Sequence, residues 1–251
     1  MSVNEPSTAD AALDAMRDCP RICRYLHAPA QHGSDRILRM MNRGYTAGQY
    51  RDFIGRARQR MADVSVASDF IVGFPTETDE DFEATAQLVR DCRFKNSFIF
   101  KYSPRPGTAA IERYEDDVPD QTKRRRNNLL LAEQQRVSEE GNRAMVGRVV
   151  EVIVEGKSKL VSRQLAAAAG GGNHGGNGGG GLVELGWERR RVAQVMEPQT
   201  QLVGRTRGDQ VVVYDGPESW TGRIMNVRVV DARNLTLFGV AEENVFSGLE
   251  G

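Results

Sequence analysis

Val66-Ala-Ser-Asp69-Phe-Ile-Val-Gly73-Phe-Pro-Thr-Glu77-Thr78 passes from an apolar run through a Gly/Pro turn to a residue that can cap a helix. A buried strand feeding a helix through such a turn is the repeating unit of α/β folds built on a largely parallel sheet. Thr78, with Asp81 three residues on, has the form of a capping box before a helix carrying Phe82, Ala86 and Val89. Upstream, Thr46 can cap a helix whose Tyr50, Phe53, Ile54, Ala57 and Met61 fall on one face. Arg24–His27 and Ser97–Tyr102 complete the set of runs that read as buried strands, each ending in a Gly/Pro/Ser-rich turn. In such sheets the turns after strand C-termini form the site face, so chemistry is expected at His27–Ser34, Gly73–Glu77 and Ser103–Thr108.

Further along the chain the texture changes. Pro119 and Asp120 open a charged helix running to about Gly141, and after Gly147 the pattern becomes β-branched alternation: Val149–Val154, Val211–Tyr214, Thr221–Val230 and Thr236–Val240. Turn signals at Glu155-Gly156, Asp215-Gly216-Pro217 and Asp231–Asn234 point to a small compact barrel. Ala166–Ala169, a Gly/Asn tract to Gly181 and a polar stretch to about Gln201 read as a flexible loop inserted between strands, because Gly-rich sequence loses much entropy on ordering.

Bulk properties narrow the function classes. The 251 residues carry 34 basic and 34 acidic side chains, so no global positive field draws the chain onto nucleic acid, and RNA binding must come from local patches. No apolar run approaches the ~20 residues that span a bilayer, and Met1–Ala9 lacks the layout of a secretion signal. A cytoplasmic protein without a membrane partner is expected. Cys19, Cys23 and Cys92 are odd in number and lack disulfide-framework spacing, which fits a reducing compartment.

Four ordered segments together resemble the radical-SAM methylthiotransferases: His27-Ala-Pro-Ala-Gln31-His-Gly33-Ser34, Met41-Asn-Arg-Gly-Tyr45-Thr46, Asp69-Phe-Ile-Val-Gly73-Phe-Pro-Thr-Glu77-Thr, and Phe100-Lys-Tyr102-Ser-Pro-Arg105-Pro-Gly107-Thr108. The likeness runs from about Ala11 to Val240, apart from the Gly-rich tract. It implies an α/β fold, the C-terminal half of a radical-SAM partial (β/α) barrel over residues 1–142, followed by a small all-β TRAM barrel over 143–245 with the Gly-rich insertion at about 165–200.

The resemblance further implies S-adenosylmethionine as cofactor and tRNA, at its anticodon stem-loop, as partner, with a methylthio group placed on N6-isopentenyladenosine. It carries Ile71 and Gly73 to the support of the cofactor's adenine, and Tyr102, Ser103 and Arg105 to backbone contacts with it. Gln31 and Ser34 offer neutral hydrogen-bonding groups; Asp69 and Arg105 offer opposite charges suited to an amino acid zwitterion, or else a salt bridge with each other across the barrel mouth. Lys101 and Arg105 lean toward the tRNA-modifying branch rather than the branch that modifies a ribosomal protein.

The family holds a [4Fe–4S] cluster on C-x3-C-x2-C. Here Cys19 and Cys23 keep the first spacing, but Leu26 stands at the third ligand position, so the cluster ligands are absent from this chain. The expectation is a fragment, inactive alone, in need of a missing N-terminal fragment or else a catalytically dead tRNA-binding remnant. For RNA, Arg205, Arg207, Arg223 and Arg228 of the β unit are the candidates, with Lys123–Arg126 and Arg189–Arg191 as the densest basic runs; a solvated helix face is the alternative for the first run. Trp187, Tyr214, Trp220 and Phe238 are the few aromatic platforms for bases.

Overall fold

The computed structural model describes residues 6–158 and 198–242. The first part alternates helix and strand: α1 Pro6–Asp18, β1 Tyr25–His27, α2 Asp35–Met40, α3 Ala47–Arg60, β2 Ser65–Val72, α4 Asp79–Cys92, β3 Asn96–Lys101, α5 Ala109–Arg113 and α6 Asp120–Arg143. Both expected caps form, and Thr46 proves to be a capping box as Thr78 is. Thr46 accepts from the Gln49 amide while the Gln49 side chain reaches back, and Thr78 and Asp81 do the same for α4.

The three strands make a parallel sheet in the order β1-β2-β3, with Leu26 beside Val66 and Asp69 beside Phe98. Because side chains alternate across a strand, each face has its own residues. Leu26, Val66, Phe70 and Val72 point into a core with Tyr50, Phe53, Leu88, Val89, Phe94 and Leu130, all buried. The Tyr50 hydroxyl, fully enclosed, donates to the Ala28 carbonyl at 2.5 Å.

The other face carries His27, Asp69, Ile71, Phe98 and Phe100, and no helix of the described residues covers it. Phe98 and Phe100 are 50% and 55% exposed. The expectation that all three strands are buried therefore fails for β3. Its alternation of Phe and Ile is apolar on both sides, but only the Ile99 side packs against the core.

The second part is a closed barrel in the order β4-β5-β6-β8-β7: β4 Val149–Lys157, β5 Gln199–Thr206, β6 Val211–Pro217, β7 Ile224–Arg233 and β8 Thr236–Ala241, with a 3-10 turn at Glu218–Trp220. Val152, Val154, Leu202, Val212, Tyr214, Val227, Val229 and Leu237 fill it. Strand β5 is an addition to the sequence expectation, which ran the insertion through Gln201; Gln199 and Thr200 pair with Pro217 and Gly216 instead. Of its buried positions only Leu202 is a large apolar residue, beside Gly204 and Thr206, and Val203 faces the other way, which disguised its period of two. The Gly-rich tract itself, with Trp187 and Arg189–Arg191, lies outside the described residues.

The turn between β5 and β6 fastens the barrel to the N-terminal ends of the sheet strands. Lys95 Nζ contacts the Asp209 carboxylate at 2.5 Å, Gln210 donates to Ser65 Oγ at 2.8 Å, and the Arg24 amide donates to the Arg207 carbonyl at 2.8 Å. Gly208 fits this joint because a Cβ there would lie 2.4 Å from Ser65 Oγ.

Candidate functional site

The three turns after β1, β2 and β3 do different jobs. In the first, Gln31 sits at φ 67°, an uncommon conformation for a residue with a Cβ; its amide donates to Asp69 O and its carbonyl accepts from the Ile71 amide. This stitches the turn to β2. His32 is fully buried behind it, and Gly33 approaches α4 so closely that a Cβ would stand 2.3 Å from the Ala84 carbonyl. Ser34 is committed to the scaffold. It caps α2 and donates to Asp81 Oδ1 at 2.5 Å, within a cluster that Arg36 and Thr78 complete.

The second turn closes around a carboxylate. Glu77 accepts from the Gly73 amide at 2.6 Å and the Phe74 amide at 3.2 Å, meets His32 Nε2 at 3.3 Å, and lies 3.1 Å from the Arg126 guanidinium. Gly73 takes φ 70°, and a Cβ there would fall 2.4 Å from Lys123 Cγ. Helix α6 therefore occupies the space that sequence reasoning reserved for a flat ring. The same packing corrects the reading of Lys123–Arg126. Lys123 and Arg126 are buried, the first paired with Asp116 and the second with Glu77 and Asp79, whereas Arg124 and Arg125 do lie on an exposed helix face, paired with Asp120 and Asp79. Glu77, four residues after a left-handed glycine, is the signal by which this network could have been found.

The third turn, Ser103–Thr108, is exposed and borders a cavity of about 530 Å³. Its walls come from Met40–Arg43 at the end of α2, Ile71 and Phe74 after β2, Phe100–Ser103 and Arg105 after β3, and α5 with Tyr114. Phe74 stands edge-on to Tyr102 and Tyr114, at centroid distances of 5.1 and 5.9 Å. Of the eight expected cofactor residues, Ile71, Tyr102, Ser103 and Arg105 meet here; Gln31, Ser34, Asp69 and Gly73 do not line the cavity.

Asp69 opens instead onto the uncovered sheet face, where it pairs with His27 Nε2 at 2.9 Å, and the His27 ring stacks on Phe98 at 5.9 Å. The alternative of an Asp69–Arg105 salt bridge is not realised among the described residues. The partner chosen is the neighbouring strand's histidine, because parallel pairing sets His27 opposite Ala67 on the face that Asp69 shares.

The thiols do not converge. Among the described residues no three metal-ligating side chains gather. Cys19 and Cys23 lie on the surface before β1, and Cys92 is buried at the end of α4, where loss of solvent pushes its thiol up to about 11. A three-thiolate iron–sulfur cluster does not fit these groups.

On the barrel, Arg205 pairs with Glu155 and Asp209, Arg228 with Glu242, and Arg207 donates to the Pro20 carbonyl across the joint. Arg223 is exposed, without an ion pair among the described residues. Tyr214 belongs to the barrel core rather than to a base-stacking surface, and Phe238 lies beneath Arg233.

Comparison with known proteins places these features. Residues 1–89 match the model of the radical SAM superfamily. Over 227 residues the chain is 41% identical to the tRNA-2-methylthio-N(6)-dimethylallyladenosine synthase of Rhodopirellula baltica, covering 90% of this chain. Along nine-tenths of its length the chain is similar to this synthase. The synthases of Porphyromonas gingivalis and Yersinia enterocolitica are 36% and 37% identical over 93% and 92% of the chain. The chain spans about two-fifths of the length of these relatives, 41% to 42%. Among solved structures, coproporphyrinogen III oxidase (HemN) from Escherichia coli, a radical SAM enzyme, overlaps 51% of this chain and 30% of its own at a TM-score of 0.44 and 24% identity, too loosely to bear on function. No helix among the described residues is long and apolar enough to cross a membrane.

Proposed function

We propose that this chain is the cofactor-facing and RNA-gripping portion of a tRNA methylthiotransferase, which converts N6-isopentenyladenosine beside the anticodon to its 2-methylthio derivative with S-adenosylmethionine. The observation that carries this is the uncovered sheet face, where Asp69 and Ile71 lie two residues apart on the same side of β2 and Ile71 meets Tyr102 and Ser103 in the cavity. An exposed apolar strand residue suits a flat adenine, and a carboxylate suits the cationic end of S-adenosylmethionine. When bound, that cofactor would supply a methyl group and, given an electron from an iron–sulfur cluster, a radical; the chain's own contribution is to hold and orient it. Ser34 and Gly73 support the site through their scaffold contacts. Gln31 shapes it through its backbone, and Arg105 lies with the cavity rather than with Asp69.

The closed barrel is read as a TRAM domain, with Arg223, the ion-paired Arg205 and Arg228, and Arg207, which donates to the Pro20 carbonyl, toward RNA. The cluster-binding thiolates belong to a segment outside this chain, a companion fragment on this reading. The dispersed thiols also favour a second reading, an RNA-binding remnant without catalysis.

Calorimetric titration of the purified chain with S-adenosylmethionine tests the cofactor site. Saturable binding that Asp69→Asn weakens at least about tenfold, or roughly 1.4 kcal/mol, is expected; no binding at all overturns it. Nucleoside mass spectrometry of tRNA from a host lacking the modification separates the two readings. The chain alone is expected to restore no methylthio group, and the chain joined to a relative's cluster-bearing segment is expected to restore it. Failure of the joined protein to do so, although folded, favours the remnant.

A further inference from the structure

His27 and Asp69 meet on the sheet face that no helix of the described residues covers, with Nε2 of the ring 2.9 Å from Asp69 Oδ1. An ionised carboxylate only accepts hydrogen bonds, so in the neutral ring Nε2 carries the proton. Nδ1 and Asp69 Oδ2 have no hydrogen-bond partner among the described residues. Phe98 steadies the pair by stacking on the imidazole, with the two rings 19° from parallel. At 38% and 27% exposure the two side chains remain open to a ligand. A pair that served the fold alone would be enclosed, as His32 and Glu77 are. The rest of the face adds no competing charge. Strand β2 contributes Ala67 and Ile71 beside Asp69, and β3 contributes Phe98 and Phe100. Strand β1 contributes Tyr25, whose ring lies under a Lys95 ammonium that is itself paired with Asp209. Lys101, at the end of β3, is tied to Asp120. One proton on His27 therefore sets the charge of this face, which is anionic with a neutral imidazole and balanced with an imidazolium.

We propose that His27 is a specificity-determining residue that makes this face take up a sulfonium in exchange for a proton. Neutral, it leaves the Asp69 carboxylate to the cation; protonated, it keeps the carboxylate for itself. The proposal deepens the cofactor reading above and rests on it, since Asp69 is the group given there to the cationic end of S-adenosylmethionine. A bound cation disfavours imidazolium as any like charge does, so binding expels the proton. By linkage, affinity falls as pH falls. Histidine ordinarily changes charge between about pH 5 and about pH 8, which puts the exchange in the physiological range. The consequence is selection by the charge on sulfur. S-adenosylhomocysteine differs from S-adenosylmethionine by one methyl group and has a neutral thioether, so it gains less from the anionic carboxylate and has less to lose when His27 takes up a proton.

The test is calorimetric titration of the full chain with S-adenosylmethionine and with S-adenosylhomocysteine, in steps from about pH 7 down to about pH 5.5. Across that window an α-amino and an α-carboxyl group keep their charges, so the ligands' own titration does not enter. For wild type, the Kd of S-adenosylmethionine should rise at least about threefold from the upper to the lower pH, and that of S-adenosylhomocysteine should change much less. Near the middle of the window the heat for S-adenosylmethionine should vary with the ionisation enthalpy of the buffer in the sense of proton release. His27→Gln keeps a neutral donor for Asp69. It should bind S-adenosylmethionine without pH dependence or proton release, and at the lowest pH more tightly than wild type, a gain that damage to the fold does not produce. Wild-type binding with neither pH dependence nor proton release overturns this proposal and leaves the cofactor reading standing. A pH dependence that persists in His27→Gln, or that S-adenosylhomocysteine shows equally, also overturns it. No binding of S-adenosylmethionine at any pH overturns both.

Discussion

Gly73 illustrates how a single residue is legible in sequence while its reason is not. A glycine between an apolar run and Pro75 signals a left-handed turn, and the backbone adopts it at φ 70°. What fills the missing Cβ position is Lys123, fifty residues away, and no local pattern announces that. Gly73→Ala should cost about 1–3 kcal/mol in denaturant unfolding, from the strained backbone and the clash together. Adding Lys123→Ala should return part of that loss only if the clash contributes, and a double variant no better than the sum of the singles would place all of it in the backbone. Asp81 gives a pH signature at the same scale. Burial pushes its carboxyl up, but hydrogen bonds from Arg36, Ser34 and Thr78 outweigh this and hold it well below the usual carboxylate range. A folded-state pKa below the unfolded value of about 3.9 means stability is present above that pH and is lost as pH falls through it. Asp81→Asn should therefore flatten the fall in Tm between about pH 4 and pH 2, and should also cost about 1.5–3 kcal/mol at neutral pH through the lost charged hydrogen bonds. An unchanged acid limb would assign the sensitivity to other carboxylates.

Elements were the best-read level, because strands and caps leave short-range marks. The capping residues Thr46 and Thr78 and the runs around Leu26, Phe70 and Ile99 placed the sheet and its helices. Strand β5 escaped because its buried positions hold Gly204 and Thr206 beside the single apolar Leu202, while Val203 faces outward, so the alternation is blurred. Strand β3 was over-read, since Phe98 and Phe100 look like core residues until the faces are assigned by pairing. Within the barrel, Tyr214 is buried with a hydroxyl that has no hydrogen-bond partner among the described residues, and loss of solvent raises it to about 12. Removing an unpaired buried hydroxyl while keeping the ring is neutral or favourable. Tyr214→Phe should leave stability unchanged or raise it by up to about 1 kcal/mol; a clear loss in thermal unfolding would reveal a partner for the hydroxyl.

At the scale of the whole molecule, helices cover one side of the sheet and leave the other apolar and wet. Phe98 and Phe100 together offer the kind of surface that draws proteins into association. A Phe98→Ser, Phe100→Ser double variant should lower binding of a hydrophobic dye and reduce self-association in sedimentation, with Tm kept within a few degrees because neither ring belongs to the core. A large fall in Tm would mean that this face is packed in solution. The candidate site was only half legible: motif order brought Ile71, Tyr102, Ser103 and Arg105 together, but Arg43 and Arg113 join them through the turn after α2 and through α5, whose placement depends on tertiary packing.

The joint at Thr206–Gln210 sets a length. It grips Ser65 at one end of β2, while the arginine-walled cavity touches Ile71 at the other. Six residues of strand separate them, roughly 20 Å at about 3.3 Å per residue. Because the barrel is bolted to the strand rather than tethered by a slack linker, β2 acts as a gauge bar between the two. A mononucleotide is too short to engage both. Any ligand that touched both the barrel and the cavity would have to span that fixed distance.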